Sequence, residues 1–415
     1  MENKIDWLSL LLYGVIVLFG WLNIYAACYD ESHAGLFDFT TRHGKQLIWI
    51  GISVAIALVV ALTDPRIFSS MSYIIYLVVL GLLVVTLLVG TVIKGGQSWI
   101  DIGPFRFQPS EFAKFATALA LAKYMSSIDL DYRQLRSKVL AWVLILTPAV
   151  LILLQHDTGS ALVFASFLLP LYREGMSGKI LVTGLAAALL FVVALLVNKF
   201  IIIGVLAAIG LFYLYVWLNK RTRKHYVWVA TLFVAASLFT LSVDFAFEHV
   251  LEPHQRDRIY VLLGKTEDIK GTGYNVHQSK IAIGSGGLVG KGFLNGTITK
   301  ADFVPEQATD FIFCTVGEEW GFVGSTLVIL AYVGLLLRLV RLAERQYSKF
   351  SRFYGYCVAS ILFFHFMVNI GMVLGLLPVI GIPLPFFSYG GSSMMAFTIL
   401  LFIFLRQDQE RTKPL

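Results

Sequence analysis

Twelve apolar stretches separated by mostly short polar connections constrain this chain more than any other feature. They run at about 8–28, 45–62, 70–93, 112–126, 138–154, 159–172, 179–197, 200–218, 226–246, 311–337, 354–377 and 385–405. A hydrocarbon layer roughly 30 Å thick takes about 20 helical residues to cross, and backbone polar groups inside it must find partners within the protein. The expectation is an all-α membrane protein, a polytopic bundle of about 12 spans forming one integral domain over residues 1–415. The shortest runs, 112–126 and 159–172, need their polar flanks to reach across. Composition agrees: 57% of residues are hydrophobic and 14% charged, with a mean hydropathy of +0.76, which excludes disorder and argues against a water-soluble fold. Cys28, Cys314 and Cys357 stand singly in apolar surroundings, so neither zinc nor a disulfide framework is expected.

The net charge of +7 reports orientation rather than a nucleic-acid partner, because the basic residues sit in the short connections. With the N-terminus cytoplasmic, most of the 33 lysines and arginines fall on the inner side, while the acidic residues divide the other way. Both termini are therefore expected in the cytoplasm. Met1 to Asp6 leads straight into the first run, which predicts a retained span rather than a cleaved signal. This orientation gathers segments 29–46, 94–111, 155–158, 247–310 and 378–391 on the outer side. Any reaction is then expected at or beyond the outer membrane–water interface.

The large extracytoplasmic loop, 247–310, contains Gly284, Gly286, Gly287, Gly290 and Gly292 between Ile281 and Phe293, a pattern suited to an interfacial or re-entrant element. It fits neither glycine motif of nucleotide-binding loops, so close packing or approach to a ligand headgroup is the expected use. Asp310 follows Pro305-Glu306-Gln307-Ala308-Thr309 and opens an apolar helix. A cap by Thr309 or Asp310 is the ordinary explanation, whereas an ionisable group at a membrane edge fed by a polar loop reads as a general base. Glu111 and Lys114 are three apart on one helical face behind Ser110, a possible N-cap. They form either a self-neutralising pair or a site meeting an anion. Gln155 to Ser160 is a polar cluster whose Asp157 or Thr158 caps a helix. Trp99 is either an interfacial belt residue or a sugar or lipid contact. Residues 381–393, with two prolines and a Gly-Gly pair, interrupt a hydrophobic run and imply a cavity wall. His365, alone in a span, is read as a packed residue rather than a metal ligand.

Four stretches in this order, Gln108 to Lys114, Gly273 to Gly287, Pro305 to Phe313 and Pro383 to Gly391, resemble the SEDS family (shape, elongation, division and sporulation). The resemblance covers nearly the whole chain. Gln278-Ser279-Lys280 and Gly290-Lys291-Gly292-Phe293 look more like its elongation members, RodA, than its division members, FtsW. What the resemblance implies is a peptidoglycan glycosyltransferase that polymerises lipid II, the undecaprenyl-diphosphate-linked disaccharide pentapeptide, on the outer face of the bacterial cytoplasmic membrane. It also implies a class B penicillin-binding transpeptidase as partner, with other elongation-complex membrane proteins. The family's loop carboxylate maps to Asp310, its helix-four Glu and Lys to Glu111 and Lys114, and its loop tryptophan to Trp99. Glu306, Gln278 and Ser388, within the matching motifs, are the further substrate-binding candidates. Two departures stand out. Ala308 occupies the place where members often carry histidine, and residues 179–246 hold three runs where one is expected, a two-helix insertion into a ten-span core.

The implied inverting reaction needs one base, for which Asp310 is the choice, with Lys114 facing the diphosphate and Glu111 orienting it. A divalent cation, Mg or Mn, would suit the diphosphate, but no dedicated oxygen cage is visible and its ligands are unknown. The rivals are a lipid-linked precursor transporter, or flippase, which would use cavities rather than chemistry, and a scaffold for the partner.

Overall fold

Every one of the twelve apolar runs carries helix. The computed structural model describes residues 5–29, 35, 37–93, 95–103, 105–127, 134–216, 223–249, 256, 272–300 and 303–411; most of the 250–271 part of the large loop lies outside the described residues. In chain order the elements are α1 (Trp7–Ala27), α2 (Arg42–Leu62), α3 (Pro65–Ser70), α4 (Ser72–Val89), β1 (Thr91–Ile93), β2 (Gly96–Ile102), β3 (Phe105–Phe107), α5 (Pro109–Met125), α6 (Leu135–Leu154) and α7 (Thr158–Leu162). A 3₁₀ turn (Val163–Phe167) joins α7 to α8 (Leu168–Arg173), followed by α9 (Gly178–Leu196), α10 (Lys199–Val216), α11 (Arg223–His249), α12 (Thr272–Ser285), α13 (Ile312–Glu344), α14 (Lys349–Val373) and α15 (Gly391–Gln409). Among the described residues, eight helices are long and apolar enough to cross a membrane: α1, α2, α4, α6, α10, α11, α13 and α14. The helical bundle carries one addition that apolar periodicity does not reveal, an antiparallel β1-β2-β3 meander between α4 and α5.

The chain divides into two units. One contains residues 1–175 and 274–415; the other, 176–273, comprises α9, α10 and α11 around Ala194, Ile202 and Val243. The candidate site lies wholly in the first. At its centre α14 packs against α5, α13 and α15 and is buried along most of its length. Small residues let α5 approach closely: Ala113, Ala116, Ala118, Ala120 and Ala122 are all buried, as membrane helix packing favours. By contrast α2, α4 and α6 turn many large apolar side chains outward, as lipid-facing helices do.

The two ends of this unit differ in chemistry. At one end, ion pairs fasten helix termini. Asp6 caps α1 through the Ser9 amide at 3.1 Å and pairs with Arg338, while Asp408 accepts from Arg345 Nε at 2.9 Å and Gln346 Nε2 at 2.7 Å. Glu174 takes Arg352 Nε at 2.8 Å. The opposite end gathers the motifs: the starts of α5, α13 and α15, the β-meander and the irregular chain after α14.

The glycine-rich stretch serves close packing. At Gly321 (φ 63°, ψ −158°) α13 is broken, and the groups released from its ladder find partners in residues 287–292. The amides of Lys291 and Gly292 donate to the carbonyls of Glu318 (3.1 Å) and Glu319 (3.0 Å), while those of Phe322 and Val323 donate to Gly287 (2.9 Å) and Leu288 (3.1 Å). A Cβ on Gly290 would stand 2.1 Å from the Glu319 oxygen, and its φ of +83° disfavours side chains by about 1–2 kcal/mol in addition. Gly290→Ala is therefore expected to lower the thermal midpoint in detergent. Gly284→Ala, helical and with nothing within 4 Å of the added carbon, is expected to raise stability by about 0.5–1 kcal/mol. Equal midpoints for the two variants would contradict this packing.

Candidate active site

The N-cap position of α13 falls on neither Thr309 nor Asp310. It is Phe311, whose side chain makes no capping hydrogen bond. Asp310 instead ends an irregular turn, half-buried, with its carboxylate against the backbone of the broken segment: a Cβ built on Gly381 (φ +78°) would lie 3.4 Å from Asp310 Oδ2.

Side chains join this turn to residues 381–389. Ser388 Oγ donates to the Thr309 carbonyl at 2.6 Å and accepts from the Leu384 amide at 2.9 Å, and the Tyr389 amide donates to the Ala308 carbonyl at 2.9 Å. Asn369 Nδ2, from α14, donates to the carbonyls of Asp310 and Ile382, each at 2.8 Å. Tyr332 OH reaches the Pro385 carbonyl. The backbone freed by Pro383 and Pro385 thus finds partners in protein, as irregular chain at membrane depth must. Glu306, in a left-handed conformation (φ +60°), accepts from Thr309 Oγ1 at 2.9 Å and lies one turn before Asp310.

A second cluster surrounds the start of α5. Gln108, not Ser110, is the N-cap, and Pro109 takes the first helical position, where its missing N–H costs nothing. Asp157 caps α7 through the Ser160 amide at 2.9 Å, as expected of it, and also accepts from Gln108 Nε2 at 3.1 Å. Ser392, at the start of α15, accepts from the Gln108 amide at 3.1 Å. Below this surface, Lys114 Nζ bonds Glu111 Oε1 at 2.7 Å, with the two side chains only 2% and 3% exposed. The ammonium also contacts His365 Nε2 at 3.0 Å and stands 5.1 Å from the Phe397 ring centroid. In this conformation Lys114 is covered by protein rather than turned toward a diphosphate, because the low-dielectric interior that holds it is also what makes Glu111 its necessary partner.

The structure therefore brings Glu306 and Ser388 onto Thr309, the residue before Asp310, and joins Glu111 with Lys114 in a second set of bonds. Trp99, half-buried in β2 with its carbonyl taking Thr91 Oγ1 at 3.3 Å, lies outside both sets of bonds. So does Gln278, half-buried on α12, whose neighbour Ser279 ties that helix to the Val373 carbonyl at 3.0 Å. Sequence reasoning passed over Asn369 and Glu318 and left His365 without a role. The available signal was that His365 and Asn369 are four apart in a span, where polar groups are costly and usually functional. Among the described residues no three His, Cys, Asp or Glu side chains converge as metal ligands.

With this geometry in view, the likenesses to known proteins bear on it. The family model for the FtsW, RodA and SpoVE cell cycle proteins matches residues 5–201 and 204–413. The peptidoglycan glycosyltransferase MrdB of Escherichia coli K12 is 35% identical over 347 residues, 83% of this chain and 80% of that one. The peptidoglycan glycosyltransferase RodA of Treponema pallidum is 32% identical over 432 residues, 98% of each. Among solved structures, a chain of a peptidoglycan synthase complex, described as coordinating polymerization and crosslinking, superposes with a TM-score of 0.71 at 27% identity, covering 99% of both chains. The rod shape determining protein RodA of Thermus thermophilus gives 0.65 at 26%, covering 99% of this chain and 98% of that one. The chain belongs to the FtsW, RodA and SpoVE family of cell cycle proteins.

Proposed function

We propose that this protein is a peptidoglycan glycosyltransferase that polymerises lipid II into β-1,4-linked glycan strands at the outer face of the bacterial cytoplasmic membrane, during cell elongation. The observation that carries the reading is the half-buried Asp310 carboxylate at the end of the polar loop, its Oδ2 3.4 Å from where a Cβ on Gly381 would stand. The relatives named as peptidoglycan glycosyltransferases supply the substrate class.

In this account Asp310 takes the proton from the 4-hydroxyl of the acceptor GlcNAc as its oxygen attacks the anomeric carbon of the donor. The α-linked lipid diphosphate leaves from the opposite face, so one displacement with inversion gives the β-link without a covalent glycosyl-enzyme. Glu306 and Ser388 shape the turn that bears the base. Glu111 and Lys114 act from beneath the site by position, since their charges are buried against each other. Trp99 and Gln278 are kept as substrate contacts on the outer side. A class B penicillin-binding transpeptidase is the partner this reading expects, in keeping with the synthase complex whose chain superposes.

The test is the purified protein in liposomes carrying labelled lipid II, with glycan length and lipid translocation followed together. Glycan strands are expected. Translocation without chain extension would instead favour a transporter, and neither outcome with a folded protein would reject the reading.

A further inference from the structure

We propose that His365 is a positioning residue that holds the Asp310-bearing site through a neutral imidazole protonated on Nδ1. This rests on the reading of Asp310 as the base. His365 is fully buried on α14 and is the only described side chain bonded both to the Glu111–Lys114 pair and to the broken segment. Its Nε2 lies 3.0 Å from Lys114 Nζ and its Nδ1 lies 3.1 Å from the Pro383 carbonyl.

The proton positions follow from the partners. Lys114, ion-paired with Glu111 at 2.7 Å, is an ammonium and offers only donors, so Nε2 must accept. The Pro383 carbonyl can only accept, so Nδ1 must donate. A single tautomer satisfies both ends, and the edge-on Phe397 ring, with centroids 4.8 Å apart, restrains the imidazole between them. One turn further along the same face of α14, Asn369 holds the carbonyls of Ile382 and Asp310. Two adjacent side chains thus fix Ile382, Pro383 and the Asp310 backbone, with the buried pair selecting the protonation state of the first.

The experiment compares two isosteres in the full-length protein. In His365→Asn, the amide N–H stands where Nδ1–H was and keeps the Pro383 bond. In His365→Gln, the amide oxygen stands where Nε2 was and keeps only the Lys114 bond. Because misplacement of a reacting group by about 1 Å can cost about 10²-fold, His365→Gln is expected to lose about that much in kcat for glycan polymerisation with KM little changed. His365→Asn is expected to stay within about 10-fold of the parent. Equal losses in the two variants, an unaltered His365→Gln, or a loss confined to KM would overturn the proposal.

Nitrogen-15 NMR of histidine-labelled parent protein tests the tautomer without any variant. The imidazole correlated with the Lys114 ammonium is expected to carry its proton on Nδ1, and a proton on Nε2 would overturn the assignment. Asp310→Asn measured in parallel separates the two readings. An active Asp310→Asn removes the base whatever His365 does, whereas an inactive Asp310→Asn beside a fully active His365→Gln removes only this inference.

Discussion

Asp310→Asn is expected to lower glycan polymerisation from lipid II by about 10²–10⁴-fold, the usual contribution of a general base, while the protein remains folded. The two halves of that expectation have separate grounds. The loss in rate follows because an amide of the same shape cannot accept the hydroxyl proton. Retention of the fold follows because Asp310 is half-buried, because the N-cap of α13 is Phe311, and because the bond from Asn369 goes to the Asp310 backbone carbonyl, which the substitution keeps. Asp310→Glu is expected to fall between the two, since it keeps the carboxylate but moves it by one methylene. Single-turnover rates with labelled lipid II, alongside thermal midpoints, measure both quantities; an Asp310→Asn variant with parental rate would exclude the base.

The largest effect on stability is expected at Glu318. This fully buried carboxylate accepts from Lys291 Nζ at 2.7 Å, from the amides of Thr297 (2.9 Å), Ile298 (3.0 Å) and Thr299 (2.9 Å), and from Thr299 Oγ1 at 2.8 Å. It thereby fastens residues 291–299 to α13 beside the break at Gly321. Glu318→Ala leaves three amides and the half-buried Lys291 ammonium without this acceptor, a loss of about 3–5 kcal/mol at about 1–3 kcal/mol for each buried group left unpaired. Glu318→Gln retains one acceptor oxygen and is expected to cost less. Denaturation in detergent micelles checks the order, and a Glu318→Ala change below about 1 kcal/mol, the worth of an exposed ion pair, would contradict it.

The membrane character of this chain was legible because hydrophobic runs of spanning length leave few alternatives, and all twelve carry helix. Position along the chain likewise fixed which polar segments share an end: the starts of α5, α13 and α15 meet because alternate connections must emerge together. What remained hidden depends on contacts across sequence. The β-meander of 91–107 follows from strand pairing, and no apolar period marks it. That the N-cap of α13 is Phe311, rather than Thr309 or Asp310, likewise emerges only from the folded backbone. Lys114 stood between a self-neutralising pair with Glu111 and a site meeting an anion; its contact with His365, 251 residues away, could not be inferred from local spacing. For the glycines between Ile281 and Phe293 the expectation was close packing or approach to a ligand headgroup; Gly286 and Gly290 pack against the backbone at Gly317–Gly321, a surface that emerges only in three dimensions.

The most direct measurement of the central claim is a structure of the protein bound to a lipid-linked acceptor and an unreactive donor analogue. The account predicts an Asp310 carboxylate oxygen within about 2.6–3.2 Å of the acceptor GlcNAc 4-hydroxyl, directly or through one water. A bound acceptor whose 4-hydroxyl lies against another side chain, with Asp310 separated from the sugar by protein or lipid, would contradict it.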